Sequence, residues 1–262
     1  KVKRLQLSNK GDLSLVLIGT GSAFAKELNQ NNLLIIKGDD HLLVDCGTKC
    51  TQALYELGVA VPDLRNFLIT HSHADHIGGL EEVMMTARYI SRSKPSMVVT
   101  AEYERILWNE SLQGGAAHSE TGTLLEFNDF WKAIRPITMP KAPRETLEAN
   151  IGSINVKLPR TKHIPDRAVS WADSFWSCGV IIDDRVLYTS DTRFDPDLLQ
   201  DFDAIYDFEV IFHDCQFFTG GVHASLEELS ALPDRLKRKI ILMHYSDRWK
   251  DYRRQVEEAG FH

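Results

Sequence analysis

The apolar residues of this chain fall into short runs separated by turn residues, a pattern that predicts strands alternating with helices. In the first half, apolar runs predict strands over 13–18, 33–37, 42–45, 67–70 and 97–100. Helical spacing of apolar positions predicts helices over 48–57, 80–90 and 102–111, and Gly58 ends the first of them. This order of elements indicates an α/β fold.

The second half repeats this order after a segment that is harder to interpret. Residues 112–150 hold loop-forming sequences around an amphipathic pattern over 127–134, so we expect a loop and helix insertion there. Strands are predicted over 154–158, 178–182, 186–189, 210–213 and 240–244, and helices over 226–232 and 250–258. A further helix is predicted to start at Asp195, which has the N-cap position before Pro196. Without a linker or repeat, residues 1–262 are expected to form a single domain.

The composition is that of an ordinary globular protein. Hydrophobic residues make up 43% of the 262 residues, and the net charge of −7 argues against coating nucleic acid or an anionic membrane. Four cysteines are too few for a disulfide framework, so we expect a reducing, cytoplasmic location. No apolar run has the length of a membrane span.

The most informative stretch is "ITHSHADHIGG", residues 69–79. His71 and His73 alternate after an apolar strand, so both can point to one place, whereas Asp75 and His76 follow where a helix begins. The alternative is a surface histidine cluster, or Asp75 as a helix N-cap. Because capping needs one carboxylate and no imidazoles, the cluster indicates metal binding, and two adjacent ligand sets suggest two ions.

Further ligand types follow other apolar runs. Asp191 comes after the strand that ends at Thr189, His244 ends the strand over 240–244, and His163 lies past the strand over 154–158. Taken singly, Asp191 could be an N-cap and the two histidines core-edge imidazoles. His118 competes with His163, although its glycine-rich setting is more typical of a loop.

The sequence resembles the metallo-β-lactamase superfamily over most of its length. The motifs that carry the resemblance are "GTGSA" at 19–23, "VDCG" at 44–47, "THSHADHIGG" at 70–79, "TSDT" at 189–192 and "LMHYSDRW" at 242–249. The resemblance implies a four-layer αββα sandwich with the site along one edge of two sheets. It also implies that His71, His73 and His163 bind one ion, that Asp75, His76 and His244 bind the other, and that Asp191 bridges them.

A second set of motifs resembles the branch that contains tRNase Z and its phosphodiesterase relatives. These motifs are "IFHDCQFF" at 211–218 and "GVHASLEEL" at 221–229. Asp214 stands where the family has Glu, and His223 matches the histidine of the family's phosphate region. Ser225 and Glu228 form a capping-box pattern, so a helix N-terminus that favours a phosphate oxygen is expected beside His223.

From this resemblance we expect a phosphodiesterase that uses two divalent ions and a metal-activated hydroxide. Asp75 would orient or deprotonate the nucleophile, and His223, held by Asp214, would protonate or stabilise the leaving oxygen. Imidazole and carboxylate ligands without thiolate suit zinc, manganese and iron, and zinc is the ion we expect. The relatives also imply a homodimer.

A small phosphodiester, a cyclic nucleotide or cyclic ribose phosphate, is the expected substrate. Only residues 164–190 lie between His163 and Asp191, too few for the long basic arm with which tRNA-processing members grip tRNA. One alternative is a tRNase Z-like 3′-end endoribonuclease. The other is a non-hydrolytic di-iron protein that binds oxygen or senses redox state, although that class usually has Glu in place of His73. Trp171, Phe175 and Trp176 could stack a base or pack in the core.

Overall fold

The computed structural model describes residues 4–261, which divide into two compact units. The first unit contains the chain up to Gly19, Asn29–Pro136 and Ala149–Ile154, and the second contains Thr20–Leu28, Ile137–Glu148 and the chain from Asn155 onwards. The strands of residues 4–261 form two sheets. The assignment of 1–262 to one domain with an insertion over 112–150 stays a prediction.

The first unit is built on a six-stranded sheet with the strands in sequence order. Its strands are β1 (Ser14–Gly19), β2 (Asn32–Lys37), β3 (Asp40–Val44), β4 (Asn66–Leu68), β5 (Ser96–Val98) and β6 (Lys132–Ile134). The pairs β1–β2 and β2–β3 are antiparallel, and β3 to β6 pair in parallel. The parallel strands therefore end at one edge of the sheet, where Asp45 and the segment after Leu68 emerge.

Short helices connect these strands. They are α1 (Cys50–Glu56), α2 (Ala74–Ile77), α3 (Leu80–Met85), α4 (Ala101–Arg105), α5 (Gln113–Ala116) and α6 (Phe127–Phe130). Thr100 caps α4 by accepting a hydrogen bond from the backbone N–H of Tyr103. The predicted helices over 80–90 and 102–111 are present in broken form, because α3 and α4 continue as π-helical turns over Thr86–Ser91 and Ile106–Leu112.

The second sheet has seven strands in the order β13-β12-β11-β10-β9-β8-β7, and β7 and β10 to β13 lie entirely within the second unit. Its strands are β7 (Ile137–Thr138), β8 (Thr146–Ile151), β9 (Ile154–Pro159), β10 (Val180–Ile182), β11 (Val186–Tyr188), β12 (Val210–Asp214) and β13 (Ile240–Met243). The pairs β11–β12 and β12–β13 are parallel. Their carboxyl ends therefore share one edge, the part of an α/β sheet where ligands usually bind.

Four helices accompany this sheet: α7 (Pro196–Tyr206), α8 (Leu226–Ser230), α9 (Asp234–Lys237) and α10 (Trp249–Glu258). Asp195 caps α7 as expected, and Ser225 and Glu228 form the predicted capping box at the start of α8. A core of buried apolar side chains, among them Phe202, Phe208 and Leu236, packs α7 and α9 together with strands β11 to β13. No helix within residues 4–261 has the length and apolar character needed to cross a membrane.

The interpretation of 127–134 as one helix is wrong in its second half. The helix α6 ends at Phe130, and Trp131 is extended and buried, with its ring 5.2 Å from that of Phe67. Residues 132–134 then pair in parallel with β5. A neighbouring strand that offers unpaired backbone groups outweighs local helix preference, because strand pairing depends on tertiary context.

Candidate metal centre

In the first unit, the segment after β4 brings His71 and His73 together. His71 Nε2 lies 3.0 Å from His73 Nδ1. Two imidazole nitrogens bound to one tetrahedral zinc ion are separated by about 3.3 Å, given Zn–N bonds of about 2.05 Å. The pair therefore has the spacing of two nitrogen ligands of one ion. His71 is buried, whereas His73 is exposed.

Asp75 and His76 lie in the first turn of α2, beside this pair. His76 Nε2 is 3.3 Å from Asp75 Oδ2, and the ring centroids of His76 and His71 are 4.0 Å apart. Both Asp75 and His76 are buried. All four residues of the "HSHADH" motif thus form one cluster in this unit.

Asp45 orients the cluster, a role that the sequence interpretation did not assign to it. Its carboxylate accepts a hydrogen bond from His76 Nδ1 at 2.7 Å and from the backbone N–H of Thr70 at 2.8 Å. Asp45 has a φ of 64°, a left-handed conformation that is uncommon for a residue other than glycine. A carboxylate that fixes a ligating histidine is typical of metal sites. The sequence feature that could have indicated this role is the "VDCG" motif at 44–47, which contains Asp45.

In the second unit, Asp191 lies at the centre of a buried group. Its Oδ2 is 3.9 Å from His163 Nε2 and 3.4 Å from His244 Nε2. Asp191 follows β11 and His244 follows β13, so the parallel strands bring their loops to the same edge. His244 has a φ of 60°, another left-handed conformation at a functional position.

Asp214, the last residue of β12, joins this group and contacts two histidines. Its Oδ2 accepts a hydrogen bond from His223 Nδ1 at 2.7 Å, and its Oδ1 lies 3.2 Å from His244 Nδ1. The backbone N–H of Thr192 also donates to Asp214. His223 Nδ1 lies 3.9 Å from Asp191 Oδ2, and the His223 side chain is 23% exposed, so it is accessible to a ligand.

The charge states of this group follow from burial and from neighbouring charges. Burial lowers the pKa of His163 to about 4, so the imidazole is neutral at pH 7, the form that binds metals. For Asp214, burial alone would raise the pKa, but the charges of His223 and His244 outweigh it and lower the pKa. Burial opposes protonation of His223, yet the Asp214 carboxylate and its hydrogen bond raise the pKa of His223.

The donor atoms of both units fit a bound cation. His76 and His163 each donate from Nδ1 to an oxygen, of Asp45 and of the Val222 carbonyl respectively, which leaves a lone pair on Nε2. Those lone pairs face the carboxylate oxygens of Asp75 and Asp191 at 3.3 and 3.9 Å. Two electron-pair donors repel at this distance unless a cation lies between them, so the geometry matches a metal site.

His118, the competitor of His163, lies elsewhere in the first unit. It is exposed and forms an isolated bridge with Leu124. Within residues 4–261 it belongs to none of the groups of metal-ligand side chains.

The comparison with protein families identifies the chain. Residues 13–262 match the family model of the Anti-Pycsar protein Apyc1. A protein of that name from Bacillus phage BSP38 is 38% identical over 241 residues, which cover 90% of each chain. One from Paenibacillus harenae is 39% identical over 237 residues and covers 90% of this chain and 91% of its own.

Solved structures with the same fold are much more distant in sequence. The metallo-β-lactamase fold protein YhfI from Bacillus subtilis has a TM-score of 0.66 and 16% identity, covering 94% of this chain and 92% of its own. Human tRNase Z, short form, has a TM-score of 0.61 and 13% identity, covering 90% and 93%. Yeast PDE1 has a TM-score of 0.62 and 11% identity, covering 96% and 95%. The predicted α/β metallo-β-lactamase fold is confirmed.

The His and Asp groups of the two units, together with this fold, indicate a divalent metal centre. The expected class of enzyme, a metal-dependent hydrolase acting on phosphodiesters, is also confirmed. The chain belongs to the Anti-Pycsar protein Apyc1 family, with a metallo-β-lactamase fold.

Proposed function

We propose that the protein is a dinuclear phosphodiesterase that hydrolyses a cyclic nucleotide. His71, His73 and His163 would hold one divalent ion, Asp75, His76 and His244 the second, and Asp191 would bridge the two. The histidine–carboxylate pairs within each unit support this assignment, because they have the donor types and spacing that a cation requires. Nitrogen and oxygen donors without thiolate suit zinc, which we propose as the ion.

The observation that carries the proposal is the Asp214–His223 pair beside Asp191 and His244. A histidine that is held through Nδ1 by a buried carboxylate presents Nε2 to a ligand, and its raised pKa favours the protonated form. That form can donate a proton to the ester oxygen as its bond to phosphorus breaks. This position of His223 favours a hydrolytic role over oxygen binding.

The remaining steps of the reaction use the other cluster. The ions, when bound, lower the pKa of a water molecule and neutralise charge on the phosphate oxygens. Asp75 would orient the attacking water and accept its proton. Water adds to phosphorus, the ester oxygen leaves with the proton from His223, and the products are a phosphomonoester and a free hydroxyl group.

The net charge of the protein and the short segment between His163 and Asp191 both favour a small substrate. A net charge of −7 disfavours a large polyanion, and the 27 residues from 164 to 190 provide no long basic arm. A tRNase Z-like endoribonuclease is therefore the second candidate. Assembly as a homodimer and a cytoplasmic location belong to the proposal as well. The four buried, free cysteines, Cys46, Cys50, Cys178 and Cys215, agree with a reducing compartment.

The test combines metal analysis with a substrate panel. Purified protein supplied with zinc should bind two ions per chain and hydrolyse 3′,5′- or 2′,3′-cyclic nucleotides faster than it cleaves pre-tRNA. Cleavage of pre-tRNA alone would favour the endoribonuclease. Two bound iron ions without hydrolysis of any phosphodiester would favour the di-iron alternative. Light scattering of the same sample gives the oligomeric state.

A further inference from the structure

The second unit contains a cavity that is lined in part by His223, the hydrogen-bond partner of Asp214. Its volume is about 480 Å³, within the range of small-molecule pockets. His223 and His244 are among its lining residues. The rest of the lining comes from residues 22–25, 215–218 and 246–248 and from Tyr252. A ligand whose phosphate contacts His223 can therefore extend its remaining atoms into this space.

Two of the lining side chains are exposed aromatic rings. Phe24 is 88% exposed and Phe218 is 67% exposed. Rings this exposed contribute little to the core of the unit, and exposed apolar surface at a cavity commonly marks a contact with a ligand or partner. The lining also includes a stacked pair, Phe217 and Tyr252, with ring centroids 4.4 Å apart and an interplanar angle of 3°.

The backbone beneath Phe24 is firmly anchored although its ring is exposed. The carboxylate of Asp247 accepts hydrogen bonds from the backbone N–H groups of Lys26 at 2.6 Å and of Leu28 at 3.1 Å. The backbone N–H of Ser22 donates to the carbonyl of Tyr245 at 2.9 Å. The loop over 20–28 is thereby fixed to the segment that follows His244.

Phe218 is anchored in the same way. The amide of Gln216 donates to the carbonyl oxygens of Phe218, at 3.0 Å, and of Gly220. Gln216 is itself held next to β12, since its backbone N–H donates to the carbonyl of Ala224 and its own carbonyl accepts from Leu226. Both exposed rings are therefore presented on ordered backbone, which lowers the entropic cost of binding a ligand against them.

We propose that this cavity binds the heterocyclic base of the substrate, with Phe24 and Phe218 as stacking surfaces, an inference that rests on the proposed function. A base has two flat π faces, and stacking on an aromatic side chain tolerates different bases. The base is the only part of a cyclic nucleotide that combines this flat apolar surface with a phosphate one sugar away. The cavity thus favours nucleotides over base-free phosphodiesters. Phe24 and Phe218 are specificity residues, and the chemical step remains with His223.

The test compares substrates with and without a base. Steady-state kinetics are measured with a purine and a pyrimidine 3′,5′-cyclic nucleotide and with the base-free methyl riboside 3′,5′-cyclic phosphate. Phe24→Ala and Phe218→Ala should each lower kcat/KM for the nucleotides about five-fold or more, mainly through KM, because stacking on one ring is worth about 1–3 kcal/mol per base. Neither variant should change the rate with the base-free substrate. Phe24→Tyr and Phe218→Tyr should restore the wild-type KM.

Two further variants serve as matched controls. Tyr55→Ala removes an exposed aromatic ring from α1 in the first unit, and it should change neither KM nor kcat. Phe175→Ala removes an equally exposed ring of the second unit that does not line this cavity. A nucleotide-specific rise in KM for Phe175→Ala but not for Phe24→Ala or Phe218→Ala would overturn the proposal and assign base stacking to the loop after His163.

Other outcomes separate this inference from the proposed function. Equal kcat/KM for nucleotides and the base-free substrate in every variant would overturn the base site and leave the hydrolase intact. If no cyclic phosphodiester is hydrolysed, the proposed function fails, and the base site is then tested by nucleoside binding, measured by saturation-transfer NMR. Loss of nucleoside binding in Phe24→Ala would support the base site, and unchanged binding would overturn it. A changed oligomeric state in sedimentation, with unchanged base discrimination, would show that the rings contact a second copy.

Discussion

Replacing His223 with alanine tests the central chemical role assigned to the second unit. The change removes a side chain that is 23% exposed and bonded to Asp214 Oδ2 at 2.7 Å. Asp214 keeps its contacts with the backbone N–H of Thr192 and with His244, so the buried group should stay intact. We therefore expect His223→Ala to fold and to bind the same number of metal ions.

The expected loss is confined to turnover. A positioned general acid contributes about 10²–10⁴-fold, which corresponds to about 2.7–5.4 kcal/mol of barrier. kcat for a cyclic nucleotide, whose leaving group is an alkoxide, should fall by that factor. The activated diester bis(p-nitrophenyl) phosphate has a leaving group that needs no proton, so its hydrolysis should fall less than ten-fold.

The leaving-group comparison is the decisive assay. Steady-state rates with both substrates are measured alongside metal content by elemental analysis. Equal losses for the two substrates would refute the general-acid role. Loss of a metal ion would show instead that His223 is a ligand.

Other predictions concern stability and metal content. Arg144→Met should lower the free energy of unfolding in urea by about 3–5 kcal/mol, because the buried Asp195 carboxylate, which Arg144 contacts at 2.6 and 3.2 Å, loses its charged partner. A change below 1 kcal/mol would contradict this expectation. Burial raises the pKa of Asp195, but the hydrogen bond and charge of Arg144 outweigh this effect and lower the pKa below 3.8. The pair therefore stabilises the fold above pH 3.8, and this stabilisation is lost as the pH falls through the folded-state pKa of Asp195. The stability difference between wild type and Asp195→Asn should therefore shrink below pH 3.8, and a difference constant with pH would exclude the charge effect. Treatment with a chelator should abolish hydrolysis and lower Tm. Adding zinc at 100 times its Kd should then raise the free energy of unfolding by about 2.7 kcal/mol. An unchanged Tm would mean that no ion stabilises the fold.

Local sequence determined much of this protein. The strands before Asp45, His71, Asp191 and His244 were readable because a buried parallel strand is a continuous apolar run, and a polar residue after it lies at the edge of the sheet. The capping box at Ser225 was readable because its two hydrogen bonds join residues that are three positions apart. Such features depend on neighbours along the chain.

Only the tertiary structure decided the partners that are distant in sequence. The strand β6 forms because β5 lies beside it, whereas the local pattern favoured a helix. Asp45 orients His76 from 31 positions away, and Asp247 anchors the loop that presents Phe24 from more than 200 positions away. Such hydrogen bonds depend on the order of the strands, and the bond from His76 depends also on the left-handed backbone at Asp45. Neither feature leaves a periodic signal in the sequence. The sequence therefore determined which residues could act, and the fold decided which of them hold one another in place.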